Sequence, residues 1–319
     1  MIGDSVEIRY PIPFKTNIII FIIATLLNAY LLWLASHGVW WVVLLASLGF
    51  ALFHNTLFSL LHEAVHGVFS PNQKVNNLFG HLTAMMFPTS FTMQAIAHLG
   101  HHERNRTDRE IYDYYLPHES KAKRNFMLYA GNLFGLYWFC IPLINLLIVI
   151  APRFATSEWF ITHPARALGF EPYFEEIAQV STRRLWLESL LALAFQVALW
   201  WMLDLNLFGW LIAHWFFALH WSALQYVDHA WSPRDIINGA WNLRVHPLSA
   251  RIALNYHYHL NHHRHPLVPW IYLPQLTEKT DANPSFWKIY FSLWGGVRPA
   301  PPMVTITKEQ DNDITLQKS

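Results

Sequence analysis

The amino-acid sequence predicts an all-α integral membrane protein. The predicted architecture has four transmembrane helices in two hairpins, an interfacial or re-entrant segment, and a cytoplasmic helical cap that carries clustered histidines. Three observations support it. Of the 319 residues, 53% are hydrophobic and only 13% are charged, against roughly 25% charged in an average soluble domain. Four apolar segments are about 20 residues long, the length that an α-helix needs to cross a bilayer. Histidines cluster at helical spacings beside these segments.

The four apolar segments form two pairs with short connections. They are residues 17–36, 40–61, 185–203 and 205–226. The connections within the pairs, at 37–38 and 204–206, contain no lysine or arginine. Because cytoplasmic loops carry an excess of these two residue types, the other ends of the helices are predicted to face the cytoplasm. The three histidine clusters lie at those ends.

A fifth apolar segment, 127–150, is interrupted by Gly131, Gly135 and Pro142 and is flanked by basic residues on both sides. If it crossed the membrane once, the last histidine cluster would lie on the opposite side from the first two. We therefore interpret it as an interfacial or re-entrant segment.

The chain is predicted to form one domain, residues 1–300, because no linker or repeat divides it. Residues 301–319 are polar and are predicted to be a disordered tail. The first apolar run shows no small-residue cleavage site after it, so we interpret it as a retained span rather than a signal peptide.

Charge and cysteine content exclude several classes of protein. The formal net charge of +1 argues against nucleic-acid binding, which usually needs a concentrated basic face. Cys140 is the single cysteine, which excludes an intrachain disulfide and a cysteine-ligated zinc or iron–sulfur site.

Three histidine clusters carry the chemistry of the chain. Residues i, i+3 and i+4 share one face of a helix, so each cluster presents its imidazoles in a common direction. Imidazole is the commonest protein metal ligand and suits iron, copper and zinc. Eight ligands are too many for one tetrahedral zinc ion and suit two metal ions. The eight are His62, His66, His98, His101, His102, His259, His262 and His263. The pattern predicts a membrane-embedded dimetal enzyme.

The order of these clusters resembles that of the membrane fatty-acid desaturase and hydroxylase superfamily, which holds a non-haem di-iron centre. The order is an H-x3-H box ending a hairpin, an H-x2-H-H box, a second hairpin and a final H-x2-H-H box. The residues around the last box, 259–266 followed by Trp270 and Pro274, look like the final segment of lipid desaturases. The resemblance covers most of the chain.

The resemblance also implies ligands at the end of the fourth span. In relatives such as the stearoyl-CoA desaturases, an Asn-x3-His motif there supplies a histidine and a water-mediated amide to the metals. His229 matches that histidine, while Gln225 replaces the asparagine. The implied ligand set is thus nine histidines, with Gln225 as a further cofactor-binding residue.

The implied function is a lipid desaturase that uses two iron ions and O2 to introduce a double bond into a long acyl chain. A hydroxylase or ketolase acting on a fatty acyl lipid, a carotenoid or an alkane is the alternative. The chain lacks a haem-binding His-Pro-Gly-Gly motif, and its single cysteine excludes a fused rubredoxin. Electrons must therefore come from a separate ferredoxin, rubredoxin or cytochrome b5. Basic groups on the cytoplasmic side could dock this donor or contact anionic membrane lipids.

A membrane zinc metalloprotease is a remote alternative, because His62-Glu63-x-x-His66 matches the zinc-protease motif with glutamate as general base. That enzyme needs one further ligand, and both H-x2-H-H boxes would then be unexplained. Glu63 lies about 100° round the helix from the histidine pair, so we expect it beside the site rather than in it.

Other polar residues are weaker candidates. Side chains that could orient ligand imidazoles are Asp108, Asp113, Asp228, Asn255 and Asn261. Five further histidines lie near the boxes or inside the spans. We expect structural roles for them at least as much as metal binding. They are His54, His214, His220, His257 and His265.

Overall fold

The computed structural model describes residues 10–304, and its regular structure is almost entirely helical. The long and intermediate helices are α1 (Phe14–His37), α2 (Trp40–Val65), α3 (Gln73–Met86), α4 (Phe91–Arg104), α6 (Leu136–Ile150), α10 (Thr182–Met202) and α11 (Leu207–Val227). The short helices are α5 (Lys121–Phe126), α7 (Pro152–Ala155), α8 (Glu158–Phe160), α9 (Glu171–Ile177), α12 (Pro247–Ile252), α13 (His259–Arg264) and α14 (Phe286–Leu293). Single π-helical or 3-10 stretches cover Met127–Leu133, Ile161–Ala165 and Leu273–Leu276.

In the described part of the chain, four helices are long and apolar enough to cross a membrane, namely α1, α2, α10 and α11. They confirm the four spans expected from the sequence, with ends shifted by a few residues. The largest shift is in α2, which continues past residue 61 to Val65. His62 therefore lies in the last turn of α2, and His66 follows directly after the helix.

The two helical pairs pack differently. Helix α2 packs along α1 and α11, whereas α10 packs mainly against α3 and α6. The close approach of α11 to α1 depends on Gly209, since a Cβ there would collide with the backbone carbonyl oxygen of Ala35. Hydrogen bonds hold α10 to α6, with Ser189 donating to Asn145 Oδ1 at 2.8 Å and the Trp186 indole donating to the Val149 carbonyl at 3.1 Å.

The interrupted apolar segment is sharply bent. Residues Lys121–Leu133 and Leu136–Ile150 form two helical stretches at 81° to each other. The break lies at Gly135, whose φ is +77°, a conformation that residues with a Cβ rarely adopt. A Cβ at Gly135 would also lie 2.7 Å from the backbone carbon of Ala218 in α11. The expected interruption is present, and the placement of the segment at the membrane interface stays a prediction.

The all-α expectation needs one small correction. Tyr114–Tyr115 (β1) pairs in parallel with Arg298–Pro299 (β2). The hydrogen bonds run from Arg298 N to the Asp113 carbonyl and from Ala300 N to the Tyr115 carbonyl, both at 3.0 Å. These strands could not be predicted from the sequence because a two-residue strand has no detectable period. They attach the segment after α14 to the loop after α4. Of the expected polar tail, residues 305–319 lie outside the described residues.

Polar capping fixes the ends of the helices that carry the first two histidine boxes. The Asn76 side chain donates to the Ala64 carbonyl at 2.8 Å and so satisfies a carbonyl at the end of α2. The Ser90 hydroxyl accepts from Met93 N at 3.1 Å and caps the start of α4. Buried groups of this kind need partners, and these two bonds supply them at the end of α2 and at the start of α4.

Candidate metal centre

The histidine boxes converge into two groups. In the first group, ligand atoms of His62, His66, His98 and His262 all lie within 4.8 Å of one another, and all four side chains are buried. His102 extends this group, because its Nε2 lies 3.1 Å from His98 Nε2 and 2.9 Å from His262 Nε2. The first group thus contains five imidazoles from α2, α4 and α13 and from His66, which follows directly after α2.

The second group contains His101, His229, His259 and His263, again with ligand atoms within 4.8 Å of one another. The Nε2 atoms form a closed ring. Consecutive separations around the ring are His101–His229 3.1 Å, His229–His259 2.9 Å, His259–His263 3.2 Å and His263–His101 3.3 Å. His229, on the turn after α11, adds a fourth element to the centre.

Each H-x2-H-H box is divided between the two groups. In α4, His98 and His102 join the first group while His101 joins the second. In α13, His259 and His263 join the second group while His262 joins the first. All nine expected ligands are brought together, but the expectation that each box points one way is too simple.

These groups fit metal ions by three criteria. Metal–nitrogen bonds of about 2.1 Å place neighbouring ligand nitrogens about 3.0 Å apart at right angles, close to the observed Nε2 separations. His62 Nε2 is buried without a hydrogen-bond partner within residues 10–304, as expected of a donor aimed at a metal. The donor set of both groups consists of imidazoles alone within the residues described, which suits iron, copper or zinc.

Burial favours the neutral form of seven of these imidazoles. It lowers the pKa of His66, His98, His229, His259, His262 and His263 well below the usual value, and neighbouring imidazoles lower it further. For His102, burial and then His101 lower the pKa to about 2. A neutral imidazole keeps a free lone pair for a metal.

The second group has well-defined outer partners. His101 Nδ1 donates to Glu110 Oε1 at 2.6 Å, and His229 Nδ1 donates to the Gly239 carbonyl at 2.7 Å. The Asp228 carboxylate is fully buried, lies 3.6 Å from His259 Nδ1, and has no hydrogen-bond partner among residues 10–304. Burial raises the pKa of Asp228 well above its usual value.

Two of these partners could not be predicted from the sequence. Glu110 lies in an irregular loop, and Gly239 contributes only a backbone atom, so neither carried a periodic signal. Of the proposed orienting residues, only Asp228 approaches a ligand. Asp113 binds Arg106, Asp108 binds Arg234, Asn255 donates to the Trp270 carbonyl, and Asn261 contacts Asn242, Leu273 and Thr277.

Glu63 is engaged away from the ligand nitrogens. Its Oε2 accepts from Trp270 N at 3.1 Å, and its Oε1 is 3.9 Å from His62 Nδ1. This agrees with the expectation that it lies beside the site. The weaker histidine candidates fall outside both groups: His54 Nδ1 pairs with Asn28 Oδ1 at 3.1 Å, and His214 Nδ1 pairs with the Trp210 carbonyl at 2.9 Å.

A largely apolar cavity of about 230 Å³ adjoins the histidines. His98, His101 and His229 line it, together with Gln225. Its remaining wall comes mainly from α4, α6, α9 and α11, with side chains such as Met93, Ile141, Ile144, Phe174, Ile177 and Trp221. An extended apolar ligand in this cavity would therefore lie directly against side chains of both histidine groups.

Gln225 stands at the junction of cavity and histidines. Its Oε1 accepts from the Tyr256 hydroxyl at 2.9 Å, while its Nε2 is buried without a partner among the described residues. The amide is therefore held with a free N–H group. Its expected role at the cofactor stays a prediction.

Comparison with known proteins agrees with this geometry. The family model of the fatty acid desaturases matches residues 38–292, which is most of the chain and contains every histidine of both groups. The chain belongs to this family, that of the membrane fatty-acid desaturases and hydroxylases. A comparison with curated proteins found no match.

Proposed function

We propose that this protein is a membrane-bound, O2-dependent di-iron enzyme that introduces a double bond into a long acyl chain. The observation that carries the proposal is the convergence of nine imidazoles into two groups beside an apolar cavity. Membership of the fatty acid desaturase family supports it.

The site indicates which chemistry the metal ions would supply and which roles the protein would have. When bound, two iron ions supply the activation of O2 and the removal of hydrogen from an unactivated C–H bond, for which side chains have no chemistry. The nine histidines hold and orient the ions. The apolar wall places carbon atoms beside them and excludes water.

The partners follow from the same reasoning. The substrate class is a long-chain lipid, because the cavity wall is mainly aliphatic and aromatic. Electrons come from a separate donor of the ferredoxin, rubredoxin or cytochrome b5 type. Arg104 and Arg106 are buried in ion pairs with Glu110 and Asp113, so a donor would dock on other basic groups, such as the exposed Arg109, on the side that the positive-inside rule makes cytoplasmic.

Metal content and product analysis test the proposal. Detergent-purified full-length protein, expressed with iron and zinc both available, should contain about two iron ions per chain by mass spectrometry. Lipids from expressing cells should contain new double bonds. His262→Ala should remove both properties, while His265→Ala, an exposed histidine beside the same box, should retain them. Iron-free protein, or unchanged lipids in cells that also supply a donor, would contradict the proposal.

The alternatives give different products. New hydroxyl or keto groups in place of double bonds would assign the hydroxylase or ketolase reaction to the same ligands. A zinc protease predicts one zinc ion per chain that is insensitive to His262→Ala, and loss of activity in Glu63→Gln. The engagement of Glu63 with the Trp270 backbone disfavours that alternative.

A further inference from the structure

The Glu110 side chain accepts three hydrogen bonds, one of them from a predicted metal ligand. Its carboxylate is 3% exposed. Oε1 accepts from His101 Nδ1 at 2.6 Å and from the Tyr173 hydroxyl at 2.8 Å, and Oε2 accepts from Arg104 Nε at 3.2 Å. These three hydrogen bonds, one of them within the ion pair with Arg104, hold the carboxylate as a fixed acceptor.

Two of the contacts of this carboxylate lead to the wall of the apolar cavity. Tyr173 belongs to α9, and so does Glu176, which pairs with the same Arg104. Helix α9 also presents Phe174 and Ile177 to the cavity. The helix that forms one wall of the cavity therefore also fixes the carboxylate behind His101.

We propose that Glu110 is a positioning residue for the second histidine group, and that α9 holds it in place through Tyr173 and Arg104. The inference rests on the proposed dimetal function. A histidine that donates Nδ1–H to a carboxylate has its tautomer and ring orientation fixed, which directs Nε2 to the metal. His101 also has the most exposed side chain of its group, 19% against 12% for His229, so packing alone constrains its ring least.

No histidine of the first group has a comparable partner in the described part of the chain. The nearest carboxylate, Glu63, is 3.9 Å from His62 Nδ1 and binds Trp270 instead. Loss of the Glu110 carboxylate should therefore weaken one metal site and spare the other.

Iron binding tests this asymmetry without reference to turnover. Full-length wild type, Glu110→Ala, Glu110→Gln and Tyr173→Phe would be loaded with ⁵⁷Fe in detergent. Iron per chain and Mössbauer spectra would then be recorded, together with iron affinity by competition with a chelator. Glu119→Ala is the matched control, because Glu119 lies in the same loop and accepts from Leu116 N at 2.8 Å, remote from both histidine groups.

We expect Glu110→Ala to weaken the second iron by about 10–100-fold, the usual effect of losing such a partner. Iron per chain should then fall toward one, with loss of a single Mössbauer doublet. Glu110→Gln retains an acceptor for His101 and should recover most of the occupancy. Tyr173→Phe should cause a smaller loss at the same site. If glutamine restores the iron occupancy that alanine removes, the loss in Glu110→Ala is caused by the missing acceptor for His101 and not by misfolding.

The outcomes separate the two proposals. Two irons with wild-type spectra and affinity in Glu110→Ala would overturn the positioning role while leaving the proposed function intact. Equal loss of both irons would overturn the assignment to one site. If Glu110→Ala does not fold, Glu110→Gln and Tyr173→Phe decide, and wild-type affinity in both would count against the proposal. An iron-free wild type would overturn the proposed function and this inference with it.

Discussion

The two histidine groups achieve metal-binding geometry by different means. The first has five imidazoles, and no hydrogen bond to Nδ1 of His66, His98, His102 or His262 occurs among residues 10–304. The second has four imidazoles, of which two donate Nδ1–H to Glu110 and to the Gly239 carbonyl. The first group therefore depends on the number of its imidazoles and on their burial. The second group depends on hydrogen-bond partners that orient its imidazole rings. The second also contributes two of the three histidines that line the cavity, His101 and His229.

The sharpest test of this difference compares adjacent histidines. His101→Ala should abolish oxidation of lipid and leave about one iron per chain, because it reduces a four-ligand site to three. His102→Ala leaves four imidazoles in the first group, so we expect both irons to bind and partial activity to remain. Iron content and product yield would be measured on membranes with equal protein insertion. If the two variants have the same iron content and product yield, the division into a group of five imidazoles and a group of four does not determine metal binding.

A second test exchanges one carboxylate beside each group. Asp228→Asn should weaken the second iron by less than the roughly 10–100-fold expected on loss of a hydrogen-bonded partner, because Asp228 lies 3.6 Å from His259 Nδ1 and makes no hydrogen bond to it among residues 10–304. Thermal stability of the metal-free protein should not fall, since the substitution removes a buried carboxylate without hydrogen bonds. Glu63→Gln is the counterpart at the first group and should leave iron affinity nearly unchanged. Chelator competition and differential scanning fluorimetry measure these effects. A larger loss of affinity in Glu63→Gln would reverse the comparison.

The smallest expected effect is that of substituting Gln225, which lies between the cavity and the histidine groups. Gln225→Leu removes the acceptor for Tyr256 and the free amide N–H. Loss of one buried hydrogen bond is worth about 1 kcal/mol, or roughly a fivefold change in rate. We expect two irons per chain and turnover reduced by about this factor, measured with Gln225→Glu as the isosteric comparison. Loss of an iron ion would instead make Gln225 essential for metal binding.

The spans and the nine histidines could be predicted because length, hydropathy and spacing are local properties of the chain. The distribution of each H-x2-H-H box over both histidine groups could not be predicted, because positions i, i+3 and i+4 were treated as one face of a helix. Adjacent residues such as His101 and His102 differ by about 100° around a helix, so they point to different groups once helices pack around a centre.

Other features depend on contacts between distant segments. The packing of α10 against α6 rests on Asn145 and Ser189, which are polar residues within apolar runs. Glu110 reaches His101 from a loop without periodicity. Both contacts follow from tertiary packing that local patterns do not encode.

The division of the boxes has a consequence for how the chain is held together. Because α4 and α13 each give ligands to both groups, either metal ion would tie together segments separated by more than a hundred residues. Closing such long loops restricts the unfolded chain, which is the entropic role of a disulfide. A protein with one cysteine cannot make that cross-link within its own chain. The two ions would then serve as cross-links between these segments. Binding of the first ion would order α4 and α13 and so place the ligands of the second ion. Metal loading should therefore be cooperative.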